Sequence, residues 1–173
     1  MWIFGYGSLM WDGWENSRGC LHRAKADLAG FRRIFNKASV KRWGTKECPA
    51  PTLNLEANLS ASCRGIAFEF PDQKREEVIQ YLKEREGKNF ELLEHGIQLE
   101  NGQETTASIL IYAGKNLIKG QSLWELVAMA HGAVGTEGSG LYYVRGVVNK
   151  LSELSIEDPH VAEFWQTIKQ MHD

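Results

Sequence analysis

One short strand limits the fold class, because a strand with an apolar face needs a second layer to cover it. Residues 63–70 alternate between two faces. Gly65 and Ala67 form a face of small residues, which leaves room for another backbone or a ligand. Pro71 stops the strand, and a helical spacing of apolar residues follows it. The opposite face of the strand carries Ile66, Phe68 and Phe70.

The rest of the chain mixes strand and helix signals. Strands are expected over 24–35 and 52–55, with a polar connector at 58–62 and a hairpin formed by 89–99 and 105–112. Helices are expected to begin with a capping box at Ser122, after a glycine-rich turn at 135–140, and at Asp158-Pro159.

Composition excludes several classes of function. The 173 residues are 43% hydrophobic, which fits a single domain over 1–173 with a core of its own. A net charge of -2 gives no basic surface, so we expect no nucleic-acid partner. No apolar run is long enough to cross a bilayer and no leader opens the chain, which predicts no membrane partner and a cytoplasmic protein. The cysteines and histidines lack metal-ligand spacing, so we predict reduced thiols and no metal. The oligomeric state stays open.

A glycine loop follows the first apolar run of the chain. Gly5 and Gly7 remove two Cβ atoms where the strand turns over, so a ligand can approach the backbone amides, and Ser8 adds a hydroxyl beside them. Free N–H groups in such a turn suit a carboxylate or an oxyanion. The alternative is a tight corner without any binding role.

Glu86 interrupts the stripe of the helix that begins near Asp72, the predicted cap. The apolar residues reach Leu82, and the next position on the same face is Glu86, four residues later. Gly87 ends the helix there. Burial and the negative end of the helix dipole favour the neutral acid, which predicts a group able to take and give a proton near neutral pH. A salt bridge with Arg85 or a frayed helix end is the alternative.

Two further features are candidates for substrate binding. Arg32 and Arg33 belong to the one basic cluster of the chain, which predicts either a cationic wall for an anionic substrate or a solvated strand face. Tyr143 lies on the apolar side of the helix after the second glycine turn. Its buried hydroxyl needs a partner, and a carboxylate, a substrate or the core itself would supply one.

Two motifs together identify a family. The chain carries Phe4-Gly5-Tyr6-Gly7-Ser8-Leu9-Met10-Trp11 near its start and Tyr81-Leu82-Lys83-Glu84-Arg85-Glu86-Gly87 in its middle. The pair resembles the ChaC-type γ-glutamylcyclotransferases over nearly the whole chain. The resemblance implies an α+β fold with a mixed, partly open β-barrel flanked by helices. It also implies cofactor-free cleavage of a γ-glutamyl amide, typically glutathione, to 5-oxoproline and a released amine such as cysteinylglycine.

The same resemblance assigns roles to residues. It implies that the loop of Tyr6, Gly7, Ser8 and Leu9 holds the γ-glutamyl end of the substrate, and that Glu86 is the general acid/base. This chain has Tyr142-Tyr143-Val144 where relatives acting on glutathione have Glu-Tyr-Leu, so the substrate could be another γ-glutamyl amine or dipeptide. A binding module without turnover is the alternative outside the enzymes. A serine or cysteine hydrolase is disfavoured, because Ser8 and Cys63 have no base partner in the sequence.

Overall fold

The computed structural model describes residues 1–87 and 89–171, which form two compact units. The first unit contains Met1–Arg32 and Leu55–Lys115. The second contains Arg33–Asn54 and the described chain from Asn116 onward. The single-domain assignment stays a prediction. Within the described ranges, no helix has both the length and the apolar character that crossing a membrane requires.

Five strands form a closed barrel in the order β1-β3-β2-β4-β5. Phe4 of β1 lies opposite Ala67 of β3 in an antiparallel pair and opposite Ile109 of β5 in a parallel pair. Because β1 has a partner on both sides, the barrel closes, whereas the family resemblance implied a partly open one. The α+β class with a mixed barrel is confirmed. The strands are β1 (Trp2–Gly5), β2 (His22–Ser39), β3 (Ala50–Glu69), β4 (Phe90–Leu99) and β5 (Glu104–Tyr112).

The long strand β3 differs from the prediction. It runs without a break where the sequence predicted strands at 52–55 and 63–70 joined by a polar connector. Residues 56–62 are exposed or half-buried, and Leu59 is fully exposed. Polar residues in this stretch therefore face solvent from a strand, so their polarity does not indicate a loop. The hairpin of β4 and β5 is confirmed.

Helix α1 (Arg75–Glu86) follows a 3-10 turn at Asp72–Lys74. Because that turn intervenes, Lys74 stands at the N-cap position, and the prediction of Asp72 as the cap is wrong. The helix buries Val78 and Leu82 completely. The Trp14 ring stacks on Tyr81 at 5.9 Å between ring centroids, and its other aromatic neighbours are Phe68 and Phe70. This aromatic group fixes α1 within the first unit.

The second unit is mainly helical. Its helices α2, α3 and α4 begin as the sequence predicted: Ser122 makes a capping box, Ser139 caps α3, and Asp158 accepts a hydrogen bond from the N–H of Val161 ahead of Pro159. Two short strands, β6 and β7, form the second glycine turn. The elements are α2 (Leu123–Gly132), β6 (Val134–Gly135), β7 (Gly138–Ser139), α3 (Gly140–Glu153) and α4 (Pro159–Gln170).

A buried ion pair ties β2 to α4 inside the second unit. Nη1 of Arg33, whose side chain is fully buried, donates to Oδ2 of Asp158 at 2.9 Å.

We expect Asp158→Asn to lower the free energy of unfolding by about 1–3 kcal/mol, because it weakens a buried charge pair while keeping an acceptor for the helix cap. Asp158→Ala should cost about 1 kcal/mol more, because the cap is lost as well. Urea unfolding of both variants measures the contribution of the charge pair and that of the helix cap. Equal stabilities of the two variants would show that the Asp158 cap of α4 makes no contribution of its own.

Candidate active site

The glycine loop begins where β1 ends, and Gly65 allows β1 to lie there. A Cβ on Gly65 would stand 2.3 Å from the carbonyl oxygen of Gly5 and 2.8 Å from the ring of Phe4. The two strands therefore approach more closely than a side chain at position 65 would permit. This confirms the prediction that the small face of the strand makes room for another backbone.

The loop continues into a 3-10 helix at Ser8–Met10. Within the described part of the chain, no hydrogen bond engages the N–H groups of Gly7, Ser8 and Leu9, as is usual for the first residues of a helix. The indole nitrogen of Trp14 donates to the carbonyl oxygen of Leu9 at 3.1 Å, which ties the glycine loop to the Trp14 side chain. Three backbone donors therefore lie on one turn, which suits a carboxylate or an oxyanion.

The side chains of Tyr6 and Leu9 point into the protein. Tyr6 is 6% exposed, and its hydroxyl donates to the carbonyl oxygen of Leu110 at 2.7 Å. Leu9 is buried among the core residues. Both residues therefore offer a ligand their backbone rather than their side chains.

Glu86 is the last residue of α1, as the sequence predicted. Gly87 follows it with a φ of 92°, and the N–H of Gly87 donates to the carbonyl of Lys83 to close the final turn. The Glu86 side chain is 13% exposed, and its Oε1 accepts a hydrogen bond from Nε of Arg85 at 2.8 Å. The structure thus contains the Arg85 salt bridge that the sequence left open as the alternative reading of this position.

Arg85 connects the helix end to the glycine loop. Its Nη2 donates to Oγ of Ser8 at 3.1 Å and also to the carboxylate of Asp12. The Arg85 side chain is only 6% exposed. One guanidinium therefore joins Ser8, Asp12 and Glu86 in a single part-buried cluster, which we call the Arg85 cluster.

The electrostatics of the Arg85 cluster follow from its charges. Burial by itself lowers the pKa of Arg85, but the carboxylates of Glu86 and Asp12 outweigh burial, and the pKa of the guanidinium rises above its ordinary value. Arg85 is therefore a permanent cation. It can neither take nor give a proton, which leaves proton transfer in the cluster to the carboxylates.

The remaining predicted site residues already have protein partners. Arg32 is half exposed and directs Nε and Nη2 to Oε2 of Glu56, at 2.8 and 2.5 Å. Arg33 is paired with Asp158 as described above. Tyr143 is buried in the second unit, where its hydroxyl accepts a hydrogen bond from the N–H of Leu53 at 3.0 Å.

The structure thus brings some of the predicted residues together. Glu86 and the loop residue Ser8 meet through Arg85. Arg33 and Tyr143 belong to the second unit, whereas Glu86 belongs to the first. No group of three or more His, Cys, Asp or Glu side chains is placed to hold a metal ion among residues 1–87 and 89–171.

Sequence reasoning missed Asp12 and the linking role of Arg85. Asp12 stands in a stretch rich in Gly, Asn and Ser that predicts only irregular structure, and Arg85 entered only as a salt-bridge partner. Neither has a local signal in the sequence, because Asp12 and Arg85 are 73 residues apart in the chain.

Comparison with known proteins identifies the family. A family model described as ChaC-like protein matches residues 1–171. The chain belongs to the ChaC-like family. This confirms the resemblance that the two motifs predicted.

Relatives of this ChaC-like protein extend over its whole length. It is 24% identical to Gamma-glutamylcyclotransferase 2-3 of Arabidopsis thaliana, over 99% of this chain and 89% of the relative. It is 26% identical to the glutathione-specific gamma-glutamylcyclotransferase of Escherichia coli (strain K12), over 99% of this chain and 74% of the relative. A solved structure of a yeast γ-glutamyl cyclotransferase specific to glutathione matches with a TM-score of 0.87 at 18% identity, covering 98% of this chain and 96% of that one. This chain therefore shares the fold of the yeast protein.

Proposed function

We propose that this ChaC-like protein is a γ-glutamylcyclotransferase that converts glutathione to 5-oxoproline and cysteinylglycine without a cofactor. The observation that carries the proposal is the Arg85 cluster, in which a nearly buried carboxylate is linked to a loop with unused backbone donors. The names of the curated relatives support the same activity.

The reaction needs little from the protein, because a γ-glutamyl amide carries its own nucleophile. The α-nitrogen attacks the γ-carbonyl carbon, a five-membered lactam forms, and the amide C–N bond breaks. Two protons leave the α-ammonium nitrogen and two arrive at the departing amine. One proton passes to solvent before the attack, and the released amine regains one from solvent. The other must move from the α-nitrogen to the leaving nitrogen during the reaction, which requires one relay group. Holding the substrate folded contributes effective molarity, and a positioned carboxylate contributes roughly 10²–10⁴-fold.

We assign the relay to Glu86. Its carboxylate takes a proton from the α-nitrogen and delivers it to the leaving nitrogen. The N–H groups of Gly7, Ser8 and Leu9 hold the γ-glutamyl end and stabilise the oxyanion of the tetrahedral intermediate. Tyr6 directly precedes these three residues, and its backbone forms the start of the glycine loop.

Arg32, Arg33 and Tyr143 stay predicted substrate contacts. Each has a protein partner in the structure, at Glu56, Asp158 and Leu53, so contact with a substrate requires that partner to be shared or exchanged. The cytoplasmic location likewise stays a prediction.

A panel of γ-glutamyl compounds tests the function. We expect release of 5-oxoproline from glutathione, with a higher kcat/KM than from γ-glutamyl dipeptides or simple γ-glutamyl amines. Preference for another member of the panel would change the substrate and keep the reaction. Binding of glutathione in calorimetry without release of 5-oxoproline from any compound would overturn the enzyme assignment in favour of a binding module.

A further inference from the structure

We propose that Arg85, held by Asp12, is a positioning residue that fixes the Glu86 carboxylate beside the glycine loop. The proposal deepens the proposed function and rests on it for the catalytic meaning of that position. The contacts that carry it are Nε to Oε1 of Glu86 at 2.8 Å and Nη2 to Oγ of Ser8 at 3.1 Å, with the Asp12 carboxylate on the same Nη2.

The geometry of the helix makes this pairing unusual. Adjacent residues on a helix do not face each other, so Arg85 and Glu86 have no intrinsic tendency to pair. The guanidinium reaches Glu86 at the last turn of α1 while its outer nitrogen is held by Ser8 and Asp12, which lie 77 and 73 residues away in the chain. The orientation of Glu86 is therefore set by groups outside its own helix.

Burial indicates that the arrangement has a role beyond stability. An arginine that is 6% exposed has lost most of its hydration and side-chain freedom, which surface ion pairs avoid. The cluster combines one cation with two carboxylates, and each carboxylate binds a different nitrogen of the guanidinium, Nε for Glu86 and Nη2 for Asp12. The neighbouring charged residues on this turn, Lys83 and Glu84, are exposed, and solvent screens them.

A positioning role predicts that Glu86 becomes mobile when the groups that hold it are removed. Arg85→Gln removes the guanidinium that binds Oε1 of Glu86, so the Glu86 side chain should gain rotamer freedom. Asp12→Asn weakens the hold on Nη2 of Arg85, so Glu86 should gain mobility to a smaller extent. A role confined to stability would lower the free energy of unfolding without loosening the Glu86 side chain in the folded protein.

The experiment is ¹³C relaxation NMR of the full chain labelled at glutamate side chains, which measures an order parameter for each side chain. The Glu86 signal is assigned by its loss in Glu86→Gln. We expect the Glu86 order parameter of Arg85→Gln to fall into the flexible range, below about 0.6. Arg75→Gln is the matched control, because Arg75 lies on the same helix and pairs with the half-exposed Glu94 at 3.0 Å. We expect this control to leave the Glu86 order parameter unchanged.

The kinetic arm separates this proposal from the proposed function. If the parent protein is active, Arg85→Gln should lower kcat for 5-oxoproline release by about 10- to 100-fold, with a much smaller change in KM. Arg85→Lys should recover only part of this loss, because lysine keeps the charge but lacks the several fixed N–H donors of the guanidinium. A lower order parameter for Glu86 in Arg85→Gln supports the positioning role even if the parent protein is inactive, in which case only the proposed function fails. An unchanged order parameter overturns the role. A kcat in Arg85→Gln equal to that of the parent protein also overturns it.

Discussion

Glu86→Gln is expected to lower kcat for 5-oxoproline formation from glutathione by two or more orders of magnitude, the usual worth of a positioned acid/base group. Glutamine keeps the shape of the side chain and an acceptor for Nε of Arg85, but it cannot carry a proton. The substrate should still bind, because the proposed binding groups are the backbone amides of the glycine loop. Steady-state kinetics with calorimetric binding of glutathione measures both quantities.

Glu84→Gln is the matched control for this prediction. Glu84 lies on the same helix, is exposed, and accepts a hydrogen bond from Gln80 at 2.7 Å. We expect this variant to keep the parental rate within about twofold, since an exposed surface substitution changes little. A Glu86→Gln variant that turns over at the rate of Glu84→Gln would show that Glu86 is not the proton relay.

Gly65→Ala is expected to give the largest loss of stability. The added methyl would stand 2.3 Å from the Gly5 carbonyl oxygen, and β1 cannot move away freely because it is paired with β3 on one side and β5 on the other. Overpacking of this kind costs about 3 kcal/mol of unfolding free energy. Because the clash lies at the end of β1, the glycine loop should shift and activity should fall more than the folded fraction does.

Gly96→Ala provides the comparison for Gly65→Ala. Gly96 lies in β4 opposite Thr106, and a Cβ there would meet nothing within 4 Å. We expect its unfolding free energy to stay within about 0.5 kcal/mol of the parent protein in urea. Similar losses in the two alanine variants would contradict the close approach of β1 and β3.

Local patterns in the sequence predicted much of the fold. Alternation at 105–112, the capping box at Ser122 and the Asp158-Pro159 start of α4 each depend on neighbouring residues, and each is confirmed. Closure of the barrel depends on the parallel pairing of β1 with β5, two strands about a hundred residues apart in the chain. No local pattern encodes such a pairing, and the expectation of a partly open barrel came from the family resemblance alone.

In the candidate site, too, local features could be predicted from the sequence and contacts between distant residues could not. Glu86 is visible in the sequence because a carboxylate breaks an apolar stripe, and the loop is visible from its glycines. Asp12 is not visible, because an aspartate in a stretch rich in glycine and asparagine is most simply read as part of a turn. Its contact with Arg85 exists only once the loop after β1 meets the end of α1.

The most direct test of the central claim is the fate of solvent oxygen when the purified protein cleaves glutathione in H₂¹⁸O. Intramolecular attack by the α-nitrogen involves no water, so mass spectrometry should find unlabelled 5-oxoproline and cysteinylglycine in equal amounts. Glutamate carrying one ¹⁸O would identify a hydrolase in which water attacks the γ-carbonyl. That result would contradict the cyclotransferase reaction and the role given to Glu86 in it.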